Sequence, residues 1–117
     1  MMRRRLIICT GALGLLLGGC AGWPSADADL YDRLSENDVT LAARTLQSAL
    51  ELTPDGATRR WTNQETGHSG AITPIRTYLT EGGHFCREYR EELRLGERSG
   101  RFHHSACRGE DARWVWL

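Results

Sequence analysis

The stretch "HFCREYREELRLGERSGRFHHSAC" (His84 to Cys107) holds Cys86 and Cys107 together with His84, His103 and His104. Thiolates and imidazoles gathered in this way suit a zinc centre. In an oxidising compartment the same two cysteines close on each other instead. Two other stretches carry reactive types. "GHSG" (Gly67 to Gly70) sets Ser69 beside His68, the raw material of a serine nucleophile. "REYREE" (Arg87 to Glu92) offers Glu88 and Glu92 as paired carboxylates, the groups that glycoside hydrolysis uses.

Strand geometry decides between these chemistries. Gly96-Glu97 suits a two-residue hairpin loop, with glycine at the first central position as a type II′ turn requires. Counting outward from that loop, Cys86 falls opposite Cys107 in a non-hydrogen-bonded pair. Such pairs bring Cα atoms to roughly 4.5 Å, within disulfide reach. His103 lies four residues from Cys107, about 13 Å at strand rise, too far for a zinc–nitrogen bond of about 2 Å. His104 points to the other face, and His84 alone shares the surroundings of Cys86. The expectation is a disulfide, with no metal and no other cofactor.

Ser69 lacks the nucleophile-elbow pattern G-x-S-x-G, because Ala71 fills the last position. The plain expectation there is a glycine-rich corner with His68 exposed. Glu88 and Glu92 share a strand face with Arg90 between them, as in a solvated charged ladder, and Glu92 falls opposite Arg101. Trp61, Trp114 and Trp116 suit core or edge packing in a small β domain. The chain contains no lysine, which excludes Schiff-base chemistry. No catalytic residue is expected.

The elements that place these residues follow from local pattern. Ser35 caps a helix, Asp38 completes a capping box, and Leu34 and Val39 are spaced for a hydrophobic staple. Val39, Ala42, Ala43, Leu46 and Leu50 form an apolar stripe at helical spacing, and "TPDG" (Thr53 to Gly56) ends it. Beyond, residues 57–62, 69–79, 84–95, 98–107 and 112–117 have strand character between short turns. Pro74 marks an edge, a bulge or a break. The expected fold is α+β: one N-terminal amphipathic helix packed on an antiparallel β-meander of about five strands, with one disulfide. Phe85, Tyr89, Leu93, Leu95, Phe102 and Ala106 share the natural core face, which leaves the cysteines on the other. An outer-face staple, a register-shifting bulge, or a sheet buried on both sides would each accommodate that.

The chain opens with Arg3 to Arg5, an apolar run from Leu6 to Leu17, then Gly18 and Gly19. That is an export signal, and its apolar run falls short of the roughly 20 residues of a membrane-spanning helix. "LGGC" (Leu17 to Cys20) resembles the lipobox of bacterial lipoproteins. The resemblance implies cleavage before Cys20 and lipidation of its thiol, palmitate included, with several acyl chains giving stable anchoring. Ala21 follows in place of the aspartate that implies inner-membrane retention, so the expected destination is the outer membrane. The expected organisation is a signal peptide over 1–19, a lipidated tether over 20–34 and a domain over 35–117. After the signal, 12 arginines face 15 acidic residues. The chain thus lacks the basic footprint of a nucleic-acid binder.

Together, "WTNQETGHSGAITPIRTY" (Trp61 to Tyr78), "CREY" (Cys86 to Tyr89), "ACR" (Ala106 to Arg108) and the closing tryptophan resemble the carboxy-terminal domain of the 17 kDa surface antigen family of bacterial lipoproteins. The matching positions are Trp61, Asn63, Gly67, Ser69, Gly70, Pro74, Arg76, Thr77, Tyr78, Cys86 and Cys107. The resemblance implies an outer-membrane lipoprotein and supplies no catalytic residue. Many family members carry a glycine-zipper segment before this domain, and here only the short tether stands in its place. The expected role is structural or binding within the cell envelope, with an envelope protein or peptidoglycan as partner. The alternative expectation is a small periplasmic inhibitor or ligand-binding lipoprotein of the lysozyme-inhibitor kind.

Overall fold

A computed structural model describes residues 29–117. The expected signal, Cys20 and most of the expected tether lie outside the described residues. The chain divides into two units, Met1–Asp32 and Arg33–Leu117. Of the first, residues 29–32 are described, and they are helical.

The second unit is one helix followed by a five-stranded sheet. Helix α1 spans Glu36–Leu52 and is followed by β1 (Arg59–Thr62), β2 (Ser69–Leu79), β3 (Phe85–Leu95), β4 (Arg98–Arg108) and β5 (Trp114–Trp116). The strands lie in sequence order, all antiparallel. Helix α1 begins as its capping box dictates: the Asp38 amide donates to Ser35 Oγ at 3.0 Å, and the Ser35 amide donates to Asp38 Oδ2 at 2.9 Å. Both are orphan donors of a helix N-terminus.

The β3–β4 hairpin has the register expected from its turn. Leu95 pairs with Arg98, Glu92 with Arg101, and Cys86 with Cys107. Gly96 has φ +67° and Glu97 does not share a positive φ, as a II′ turn requires. The Cys86–Cys107 disulfide joins Cα atoms 4.0 Å apart, the close spacing of a non-hydrogen-bonded pair.

Pro74 is the site of a bulge. The β2–β3 register shifts between Pro74 and Arg76, leaving Ile75 as the extra residue. β1 pairs with β2 only as far as Ile72. Proline, with no N–H to donate, therefore sits where β2 has lost its second neighbour, and its carbonyl accepts from the Gly56 amide at 2.7 Å.

The core lies between α1 and one sheet face, where Ala49, Leu50, Ile72, Tyr89, Ala106 and Trp114 pack together with Leu46 against them. The expected core face is right for Tyr89, Leu93, Leu95 and Ala106. Phe85 departs from it, being 54% exposed. A 17-residue helix spans about 26 Å and an 11-residue strand about 36 Å, so strand ends overhang the helix. Val39 also departs, at 51% exposed. The helix instead turns Asp38, Ala49 and Leu50 inward. The cysteines occupy the sheet face away from α1, with β3–β4 pairing unbroken. The outer-face arrangement is thus the one adopted, and Cys86 is nonetheless fully buried there.

Candidate functional site

The residues that resemble the family motif divide between the two faces of the sheet. On the helix side, Asn63 reaches the start of α1, Gly67 shapes the loop that carries it, and Trp61 packs against Gly70. On the outer face, Tyr78, Cys86 and Cys107 stand in one row, with Arg76 in the neighbouring row opposite Glu88.

Asn63 and its loop neighbours Thr66 and His68 converge on Asp38, a carboxylate with no exposed surface. Asn63 Nδ2 donates to its Oδ1 at 2.7 Å and Thr66 Oγ1 donates to the same oxygen at 2.9 Å. Oδ2 takes the Ser35 amide at 2.9 Å and lies 2.7 Å from His68 Nδ1. Burial alone would raise this carboxyl's pKa, but the Ser35 amide, then His68, Asn63 and Thr66 outweigh it. Together they hold it well below the usual carboxylate range. An ionised carboxylate only accepts, so His68 Nδ1 carries the hydrogen of that contact.

The β1–β2 loop is built to deliver these donors. The Asn63 amide donates to the His68 carbonyl at 2.9 Å and the Gly67 amide to the Asn63 carbonyl at 2.8 Å. Gly67 has φ +75°, a conformation that side chains other than glycine rarely adopt. Asn63 Oδ1 also accepts from the Glu65 amide at 3.0 Å, an Asx turn that fixes the asparagine while its amide reaches Asp38. Trp61 lies flat against Gly70, where an added Cβ would stand 2.3 Å from its Nε1. Gly70→Ala is therefore expected to destabilise the domain by about 1–3 kcal/mol, read from the urea midpoint. An unchanged midpoint would contradict this packing.

This arrangement corrects the expectation for His68. It is not an exposed corner residue: its side chain is 21% exposed and turned onto Asp38. The Asp38–His68 contact has the same pairing as the orienting half of a catalytic triad. The nucleophile that would complete it is on the wrong side. Ser69 pairs with Thr62 and Arg94, on the face away from α1.

The other end of α1 is held by a strand residue. The last turn of the helix has no basic residue of its own. The buried Arg87 guanidinium takes that role, donating from NH1 to the Leu50 carbonyl at 2.8 Å and from NH2 to Asp55 Oδ1 at 2.6 Å. Arg87 holds the Asp55 carboxyl below its ordinary range. Midway, the Gln47 amide pairs with the Trp114 backbone in both directions, at 2.8 and 2.9 Å. Arg108 and the Trp114 indole both donate to Glu51, each at 2.9 Å to Oε1.

On the outer face, Tyr78, Cys86, Cys107 and Val115 stand in one row across four strands. Arg76 lies over the Tyr78 ring, 4.6 Å from its centroid, and its Nε donates to Glu88 at 3.0 Å. Glu92 stands between Arg90 at 3.7 Å and Arg101 at 3.3 Å. Glu88 and Glu92 are thus rungs of a charged ladder, as expected. Both sulfurs are consumed in the disulfide, and no cluster of three or more metal-ligating side chains occurs among the described residues. No helix among the described residues is long and apolar enough to cross a membrane.

Comparison with known proteins places this geometry. The family model described as "17 kDa outer membrane surface antigen" matches residues 48–115. The chain belongs to that family. The 17 kDa surface antigen of Rickettsia felis is 38% identical over 81 residues, covering 69% of this chain and 51% of that protein. That of Rickettsia bellii is 36% identical over 105 residues, covering 90% and 66%. That of Rickettsia prowazekii is 37% identical over 79 residues, covering 68% and 50%. The chain therefore spans from half to about two thirds of the length of these relatives. No solved structure matches it.

The 17 kDa antigen match covers β1 to β4 and ends within β5, leaving out Ser35 and Asp38. Asp38, Thr66, His68, Gln47 and Arg87 are the residues that sequence reasoning did not assign to a site. The one available signal was the donor-rich loop "NQETGH" (Asn63 to His68), which has polar groups to spare for a buried acceptor.

Proposed function

We propose that this chain is a lipid-anchored outer-membrane lipoprotein, attached through Cys20, whose domain has a non-catalytic structural or binding role in the cell envelope. The observation that carries the non-catalytic part is the placement of Ser69 on the sheet face away from His68 and α1, which leaves the Asp38–His68 pair without that nucleophile. The Asp38 carboxylate, buried and bonded to four partners, suits a clamp between helix and sheet. The relatives named surface antigens support an envelope location. The disulfide suits an exported domain. The anchor itself rests on the signal and "LGGC" in the sequence. Replacing the anchor residue tests it: Cys20→Ser is expected to move the protein from the membrane fraction to the soluble periplasmic fraction. A variant that stays as firmly in the membrane as the native chain would refute anchoring through this thiol.

A further inference from the structure

The sheet has two edges, and the fold treats them differently. At β5 the edge-facing backbone of Trp114 is occupied in both directions by the Gln47 side chain, which stands in for a neighbouring strand. At β1 no such cover exists among the described residues. The Asn63 amide bonds to the His68 carbonyl, so alternation along the ladder directs the backbones of Arg59 and Trp61 toward β2. Those of Arg60 and Thr62 then face outward.

That open edge forms one wall of a groove of about 520 Å³. All four residues of β1 line it, although their side chains alternate between faces, so the strand's backbone edge itself faces the groove. The opposite wall is α1, through Leu41, Arg44, Thr45 and Ser48. Arg44, Arg59 and Arg60 all line it and are exposed, and no carboxylate does. Arg59 Nε donates to Thr53 Oγ1 at 2.7 Å, while Arg44 and Arg60 have no ion-pair partner among the described residues.

We propose that this groove binds an extended acidic peptide segment of a partner protein, which adds to β1 as a sixth strand alongside α1. Unpaired backbone donors and acceptors at Arg60 and Thr62 supply strand pairing. Arg44 and Arg59, on the helix side, select carboxylates at alternating positions of the added strand, and Arg60 offers a guanidinium on its other face. The short apolar surface of Leu41 and the hydroxyls of Thr45 and Ser48 complete the helix wall. Strand addition between an edge strand and a helix distinguishes a peptide from any other polyanion, because it needs a backbone that donates and accepts. The proposal deepens the binding role suggested above and is independent of how the chain is anchored.

The test is calorimetric titration of the detergent-extracted full chain with an eight-residue peptide alternating glutamate and valine. Parallel titrations use its lysine counterpart, the same acidic peptide N-methylated at alternate residues, and polygalacturonate. The acidic peptide is expected to bind, with affinity falling as salt rises. Binding should weaken about tenfold or more in Arg44→Ala/Arg60→Ala, whose replaced side chains are exposed and leave the core intact. N-methylation should abolish binding, and the Arg60 and Thr62 amides should gain protection from hydrogen exchange. Absence of binding would overturn the proposal. So would binding that survives N-methylation, or equal binding of polygalacturonate, since either would reduce the groove to a cationic patch. Membrane partition of Cys20→Ser reports on the anchor alone, so each idea can fail without the other.

Discussion

Asp38→Ala is expected to cost the domain about 3–5 kcal/mol, the range for removing one partner of a buried charged network. The substitution takes away the common acceptor of the Ser35 amide, Asn63 Nδ2 and Thr66 Oγ1, and the partner of His68. Each buried donor left without an acceptor carries its own desolvation penalty, of order 1–3 kcal/mol. Domains of this size are commonly stable by about 5–15 kcal/mol, so the loss is a large fraction of the whole. The urea midpoint reads it. A variant within about 1 kcal/mol of the native chain would show that the clamp does not hold helix to sheet.

The same carboxylate sets an acid limit. Its folded-state pKa is depressed, so its contribution is fully present above the unfolded value near 4 and is lost as pH falls below that value. Stability should therefore decline on acidification below about pH 4, and the decline should be shallower in Asp38→Ala. Glu51 and Asp55, also held below their ordinary range, supply the part of the acid response that remains. Equal acid slopes in the two proteins would remove Asp38 from this account.

Removing the disulfide is the second large effect. The bond joins positions 21 apart, for which chain entropy predicts about 3 kcal/mol of stabilisation. Cys86→Ala/Cys107→Ala should lower the urea midpoint accordingly. It should also raise the denaturant slope, because the uncrosslinked denatured chain expands further. The loss should be close to that figure because the register already holds the pair together. Leu95–Arg98 and Glu92–Arg101 fix the same alignment without the cysteines. An unchanged midpoint would mean that the denatured chain stays closed by other contacts.

The parts of the fold legible in the sequence are those set over a few residues. Ser35 and Asp38 announce the helix start because a capping box is a four-residue device. Gly96-Glu97 fixes the turn, the turn fixes the register, and the register delivers Cys86 to Cys107. Pro74 announces an interruption because it has no N–H. The candidate site was illegible for the opposite reason. Asn63, Thr66 and His68 reach Asp38 across 25, 28 and 30 positions, and Gln47 reaches Trp114 across 67. No periodicity encodes such meetings. Alternation also tells which face Phe85 occupies but not where the helix stops covering it. Helical spacing marks Val39 as apolar without showing that a buried carboxylate takes the inward position beside it.

The most direct test of the anchored, stapled lipoprotein is the intact mass of the protein extracted from membranes, alkylated with and without prior reduction. The predicted result is a chain beginning at Cys20 and carrying acyl chains, with no alkylation until reductant opens Cys86–Cys107. A chain without lipid, or one whose two domain cysteines alkylate freely, would contradict it.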